Sequence, residues 1–197
     1  MSDAKIIEQC QRAVAVAQRV IDTVGGADLD RPTPCAAWDV RALLEHEIWM
    51  CDLFAAGLLR ADVPSQPVPL GDDEPAQRYR AAGGAALAAW QTTEWADMML
   101  ELPFSTLPAA IGVRVFVGDQ LIHAWDLATA LGQPLQIDED LAVAQLEMMR
   151  QYYDPANRGA DAAFDLAADC PPSASPSDQL IALSGRSPGV GLGADDR

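Results

Sequence analysis

Apolar residues recur every three or four positions in several long segments of this chain, the spacing typical of amphipathic α-helices. The first stripe predicts a helix from about Ala4 to Val24, which a pair of glycines ends. A second stripe predicts a helix from Val40 to Leu59, with Asp39 as its N-cap. His46 occupies a core position in this second stripe, which consists of Leu43, His46, Met50, Leu53 and Gly57.

A third helix is predicted from Pro75, a favoured first-turn residue, to about Trp95. Residues 98–116, MMLELPFSTLPAAIGVRVF, contain two prolines and short apolar runs, which predict an irregular connection or a small hairpin. The next predicted helix runs from about Gly112 to Leu131 and is stopped by a glycine and a proline. It carries Asp119 and His123.

The C-terminal third predicts a fifth helix, capped by Asp138 and ending near Tyr153. The region beyond it is rich in Pro, Ser and Gly, and only Asp178–Leu183 predicts a short further helix. We therefore expect an all-α fold, a bundle of four or five helices in a single domain over residues 1–184. Residues 185–197 are predicted to form a disordered tail.

Composition and charge narrow the class of protein. Half of the 197 residues are hydrophobic, enough for one domain with a sizeable core. The net charge of −16 argues against a nucleic-acid partner and against an anionic membrane surface. No run approaches the roughly 18 apolar residues of a membrane span, and the N-terminus does not resemble a secretory signal. We expect a cytoplasmic protein.

Neither the cysteines nor the common catalytic motifs indicate a function for this chain. Cys10, Cys35, Cys51 and Cys170 form no CxxC pair, so we expect free thiols. Cys51 would face about 140° away from His46 on a helix, which makes it a poor metal ligand. The chain has neither a GxSxG elbow nor a GxxxxGK[ST] phosphate loop, and nothing local supports a Cys–His hydrolase.

The two histidines of the chain, His46 and His123, are the main candidates for chemistry. Asp119 lies four residues before His123, so both side chains project from one helix face. With His46 from another helix, these residues predict three ligands to a divalent metal with an open fourth position. The alternative is that both histidines are ordinary core residues with polar partners.

Several polar and aromatic residues near His46, Asp119 and His123 each allow more than one interpretation. Asp126 could orient His123 or bind the metal itself, or simply bond to a neighbouring backbone group or tryptophan. Glu45 and Glu47 flank His46 and are expected on a solvated face. The five tryptophans could line a ligand pocket, although such residues are more often core: Trp38, Trp49, Trp90, Trp95 and Trp125.

Two segments carry a resemblance to a known family. RPTPCAAWDVRALLEHEIWM resembles the TPCxxWxVRDLLxH segment of actinobacterial DinB-like proteins, which are related to the metal-binding N-terminal domain of mycothiol-dependent maleylpyruvate isomerase. GDQLIHAWDLATALGQP resembles the ExxxHxWDLAxAxGxP segment of that family, and SPSDQLIALSGRSP the closing motif of one subgroup. The resemblance implies an up-down-down-up four-helix bundle with a divalent metal near one end.

Carried over residue by residue, the resemblance implies metal ligands at His46, Asp119 and His123. The family usually has Glu where this chain has Asp119, so the shorter side chain puts metal affinity and occupancy in question. Zinc is the expected metal, with nickel, manganese or iron as alternatives. Asp126 is then the expected partner that tunes His123.

The function implied is a metal-dependent transferase or isomerase that uses a low-molecular-weight thiol of the mycothiol type on a small electrophile. Arg41 and Arg114 could bind substrate carboxylates, but surface positions are the more usual interpretation. The chain has no counterpart of the isomerase's C-terminal domain, so maleylpyruvate is not assigned as substrate. The alternative is a non-catalytic metal- or ligand-binding bundle, with a homodimer left open.

Overall fold

Four long helices form a bundle in the computed structural model, which describes residues 3–36, 38–71, 74–159 and 164–189. α1 and α2 each pack against both α3 and α4, so the four helices enclose one apolar core. The all-α prediction is confirmed. The helices are α1 (Asp3–Ile21), α2 (Val40–Leu59), α3 (Pro75–Thr92) and α4 (Ala109–Ala130).

The ends of these helices follow from local hydrogen bonds. Asp39 caps α2 as predicted, because its carboxylate accepts a 2.8 Å bond from the Ala42 N–H. α2 ends at Arg60, which adopts a left-handed conformation with φ of 53°. α1 ends before the predicted Val24, since Thr23 and Val24 donate to carbonyls only three residues back. α3 also stops three residues short of its predicted end.

A β-hairpin precedes α4. Of the two predicted alternatives for this connection, an irregular segment or a small hairpin, the structure therefore has the hairpin. Its strands are β1 (Met99–Leu102) and β2 (Ser105–Pro108), which pair antiparallel with Leu100 opposite Leu107. Leu100 is fully buried and comes so close to Gly112 of α4 that a Cβ there would lie 2.6 Å from Leu100 Cδ1. Glycine at position 112 allows this close approach, and any larger residue would require Leu100 to shift.

Two further helices, α5 (Glu139–Tyr152) and α6 (Pro176–Leu183), pack on each other beside the bundle. Asp138 is the N-cap residue of α5, as predicted, but its side chain makes no capping hydrogen bond. Its carboxylate instead accepts a 2.9 Å bond from Arg12 of α1, which also bonds to Asp140. Charge pairing thus joins the start of α5 to the bundle.

No helix in the described ranges is long and apolar enough to cross a membrane. The first residues of the predicted tail, 185–189, are described and follow α6 directly, with Arg186 buried. Residues 190–197 lie outside the described residues, so the disordered tail stays a prediction there.

Candidate metal centre

His46 of α2 meets Asp119 and His123 of α4 in the interface between these two helices. Oδ1 of Asp119 lies 3.2 Å from Nε2 of His46 and 3.5 Å from Nε2 of His123. All three side chains are at least 85 % buried. The structure therefore brings together the three residues that the sequence selected, and the shorter aspartate does reach both histidines.

These separations are those of ligands that share one ion. Ligand atoms about 2.0–2.1 Å from a tetrahedral metal lie roughly 3.3 Å from one another. Oδ2 of Asp119 is buried and has no donor among the described residues other than the carboxyl of Glu47, which can donate only when protonated. A buried carboxylate oxygen without a donor is costly unless something else satisfies it. The residues present therefore fit a divalent metal.

Glu47 is part of the same cluster, so its predicted place on a solvated face is wrong. Its side chain is fully buried, and its ligand atom lies with those of His46, Asp119 and His123 within 4.8 Å of one another. Neither of its oxygens accepts a hydrogen bond in the described part of the chain, but its carboxyl, when protonated, is placed to donate one to Asp119. The sequence did carry a signal: Leu43 and Cys51, one turn before and after Glu47, are apolar and buried.

The two carboxyl groups have opposite pKa shifts in the metal-free centre. Burial and the neighbouring Asp119 raise the pKa of Glu47 well above its usual range. Burial acts in the same direction on Asp119, but the charges of His46 and His123 outweigh it and lower the pKa of Asp119. A bound divalent cation would favour the ionised form of both.

A chain of three buried side chains orients His123. Its Nδ1 lies 2.9 Å from Oδ2 of Asp126, which directs Nε2 toward Asp119. Asp126 in turn accepts two bonds from Arg186, at 2.8 and 3.1 Å. Burial raises the pKa of Asp126, but bonds to His123 and Arg186 lower it more. Asp126 is thus the hydrogen-bond partner of His123, and orienting His123 is one of the roles that the sequence suggested for it.

A cavity of about 490 Å³ opens onto the centre. His46, Asp119 and His123 line it, whereas Glu47 does not. The ring of Trp38 lies 4.5 Å from that of His46, and Trp49 lies on the other side at 5.9 Å. The other wall residues are mostly apolar or aromatic: Met50, Phe104, Val115, Gly118, Ile122, Met148, Met149, Tyr152, Arg158 and Phe164.

The remaining candidates lie elsewhere. Trp90 and Trp95 are buried in the core, and Trp125 is partly buried against the core and does not line this cavity. Arg41 faces Asp30 at 3.9 Å, and Arg114 is absent from the cavity wall. The cationic residue on that wall is Arg158, which sequence reasoning missed because only the folded chain brings it there.

None of the four cysteines forms a disulfide with another described residue, and Cys10 and Cys51 are buried in the core. Burial raises the pKa of Cys10 to about 12 and that of Cys51 well above its usual range. Cys51 Sγ faces Gln120 and lies outside the ligand cluster, as its helical position predicts. Neither buried cysteine supplies a thiolate near neutral pH.

Comparison with known proteins agrees with this architecture. Residues 10–128 match the family described as the mycothiol maleylpyruvate isomerase N-terminal domain. Two proteins of Mycobacterium tuberculosis, called uncharacterized proteins MT0763 and Rv0738, are each 31% identical over 176 residues, 89% of this chain and 94% of theirs.

Solved structures with a similar fold are those of mycothiol-dependent maleylpyruvate isomerase. A variant of that enzyme aligns with a TM-score of 0.59 at 15% identity, covering 81% of this chain and 74% of the other. A second structure of the enzyme gives 0.51 at 13% identity, with 74% and 68% covered. At such identities the likeness concerns the fold alone.

Proposed function

This chain belongs to the mycothiol maleylpyruvate isomerase N-terminal domain family, and from that premise we propose a metal-dependent transferase or isomerase. Its co-substrate is a low-molecular-weight thiol of the mycothiol type, and its substrate is a small electrophile. The observation that supports this most is the buried ligand cluster on the wall of an apolar cavity. A small molecule in that cavity would contact the metal position directly.

In this proposal His46, Asp119 and His123 hold a divalent metal, with zinc expected and nickel, manganese or iron as alternatives. The metal, when bound, lowers the pKa of a coordinated thiol so that the thiolate forms near neutral pH. The thiol comes from outside the chain in this proposal, because no described cysteine lines the cavity and burial raises the pKa values of Cys10 and Cys51. Asp126 and Arg186 fix the ring of His123.

Glu47 would supply a fourth ligand atom, a carboxylate oxygen, to the same metal. Because Glu47 is not on the cavity wall, the side of the centre that faces the cavity would remain accessible to a thiol.

Glu47 also favours the second candidate function, a non-catalytic metal-binding bundle. Two histidines and two carboxylates are enough to close a tetrahedral site with protein ligands alone. A closed site would bind metal but would not respond to added thiol.

The test measures metal and thiol binding separately. Tag-free protein, reconstituted with zinc, should hold near-stoichiometric metal, and His46→Gln and His123→Ala should lose it. Asp52→Asn, an exposed change on α2, is the matched control. Absence of metal from the wild type after reconstitution would overturn both candidate functions.

Cobalt-substituted protein then separates the two functions. Mycothiol should add a thiolate-to-cobalt charge-transfer band, and S-methylcysteine, whose sulfur carries no proton, should not. Metal binding without any response to mycothiol would overturn the enzyme proposal and leave the non-catalytic bundle.

The proposed setting is the cytoplasm, where small thiols stay reduced. The proposed partners are a small molecule and a thiol, with neither nucleic acid nor membrane. Maleylpyruvate is not proposed as the substrate, and a homodimer remains a prediction for sedimentation to test.

A further inference from the structure

The cavity beside the metal centre has an apolar wall with one cationic exception. Apart from the ligand residues, its lining consists of aromatic, aliphatic and thioether side chains, a glycine and the guanidinium of Arg158. An apolar wall accepts an apolar molecule, and a single charge within such a wall selects the charge of that molecule.

Arg158 is held in place by contacts that provide no counter-charge from the described residues. Its Cζ lies 4.6 Å from the ring centre of Tyr153 and 5.2 Å from that of Phe164. One of its nitrogens donates a 2.9 Å bond to the carbonyl of Leu183. Among the described residues no carboxylate pairs with this guanidinium, in a chain that has 29 acidic residues.

The surroundings make an unpaired cation costly here. Arg158 is partly buried, and burial lowers its pKa against a smaller opposite effect of Tyr153; the nearby charge of Arg186 acts in the same direction as burial. Both guanidiniums contact the ring of Phe164, with Arg186 5.4 Å from the ring centre. Arg186 has Asp126 as its counter-charge, so among the described residues Arg158 is the cation of this wall that is available to an anion.

We infer that the cavity binds an amphipathic small-molecule carboxylate, with its apolar body against the aromatic wall and its carboxylate on Arg158. The inference names the substrate class of the proposed enzyme. That this carboxylate is the molecule that reacts rests on the proposed function. Binding itself does not require the metal, because the wall and Arg158 belong to the metal-free protein. A compact polar diacid would leave most of the apolar wall without contacts.

The test compares two probes of equal shape, 4-phenylbutyrate and the neutral 4-phenylbutanamide, by calorimetry on metal-free protein. The wild type should bind the carboxylate at least about tenfold more tightly than the amide, because the charged pair forms only with the carboxylate. Arg158→Met should remove this preference and leave the affinity for the amide unchanged. Arg80→Met, exposed and bonded to Asp22 away from the cavity, should keep it.

Retained amide binding also shows that the cavity of Arg158→Met is intact. If that variant fails to fold, Arg158→Lys replaces it and should keep a reduced preference, since one charge remains without the bidentate geometry. Equal binding of the two probes by the wild type, or no binding of either, would overturn the inference. So would a preference that survives Arg158→Met.

Repeating the titration with zinc-loaded protein separates this inference from the proposed function. A preference that appears only with zinc and survives Arg158→Met would assign the carboxylate to the metal, leaving the metal proposal intact. Loss of metal binding without loss of the probe preference would overturn the proposed function and leave Arg158 as the anion site.

Discussion

Glu47 holds a carboxyl group in the bundle interior that accepts no hydrogen bond from the described residues and has the carboxyl group of Asp119 as its neighbour. In metal-free protein its raised pKa means that folding takes up a proton above about pH 4.5, its ordinary value. Its contribution to stability is therefore complete below pH 4.5 and is lost as the pH rises through the folded-state pKa. The lowered pKa of Asp119 has the opposite effect on the free energy of unfolding: its contribution is present above pH 3.8, the ordinary value, and is lost as the pH falls below it.

We therefore expect Glu47→Gln to raise the free energy of unfolding of metal-free protein at pH 8 by about 1–3 kcal/mol. At pH 4.5 the gain should be much smaller, because the wild-type carboxyl is then protonated in the folded state. Urea denaturation of chelator-treated protein at both pH values measures the difference. Glu8→Gln, exposed on α1, is the control and should change neither value.

The same Glu47→Gln substitution should weaken zinc binding by at least about tenfold, because an amide is a poorer ligand than a carboxylate. One residue would thus lower the stability of the empty protein and raise that of the loaded one. Competition with a fluorescent chelator measures the Kd. A zinc Kd equal to that of the wild type would contradict the ligand role of Glu47.

At the scale of elements, the segment after α6 is joined to α4 by the buried Asp126–Arg186 pair. Arg186→Met should lower the free energy of unfolding by about 3–5 kcal/mol, since Asp126 is left buried with too few donors. The double variant with Asp126→Leu should regain most of this stability, because it leaves no buried charge.

Zinc affinity distinguishes positioning from a merely structural role of this pair. In the stable double variant His123 has lost its partner, so we expect the zinc Kd to rise about 10- to 100-fold. Arg150→Met, exposed on α5, should leave both stability and Kd near the wild-type values. Wild-type affinity in the double variant would mean that Asp126 and Arg186 do not position the histidine.

The contact between the hairpin and α4 depends on Gly112. Gly112→Ala should cost about 1–3 kcal/mol of unfolding free energy, because the new methyl group overlaps Leu100. Gly84→Ala is the matched control, since it lies exposed within α3 with no neighbouring atom within 4 Å. It should instead stabilise the protein by about 0.5–1 kcal/mol through helix propensity. Thermal denaturation of both variants measures these opposite effects.

At the scale of the whole molecule, a metal that binds only the folded state stabilises the entire bundle. Free zinc at a thousand times its Kd should add about 4 kcal/mol, which for this chain length raises the Tm by roughly 8–16 °C. His46→Gln should show no such rise, whereas Asp52→Asn should show all of it. A wild-type Tm that ignores zinc would argue against a metal site between α2 and α4.

The features that the sequence predicts correctly are those determined by local patterns of residues. The limits of α2 are correct to the residue because an apolar stripe, a capping aspartate and a polar stop lie side by side in the chain. His46, Asp119 and His123 could be selected because helical spacing and two recognisable segments place them together. Their mutual distances follow once α2 and α4 pack.

Residues whose role arises from tertiary packing escaped prediction. Glu47 looked solvated because α2 was given one buried face, whereas in the bundle it packs against both α3 and α4. Arg158 and Arg186 lie in a region of Pro, Ser and Gly without helical periodicity. Their positions depend on how the chain returns across the bundle, which no local pattern encodes.

The bond between Asp126 and Arg186 spans 60 positions of the chain. Because synthesis proceeds from the N-terminus, all four bundle helices are made before Arg186 is added. The bundle can therefore form before the bond that fixes His123 through Asp126 exists. In the proposed metal protein, the ring of His123 would reach its final orientation only at the end of synthesis.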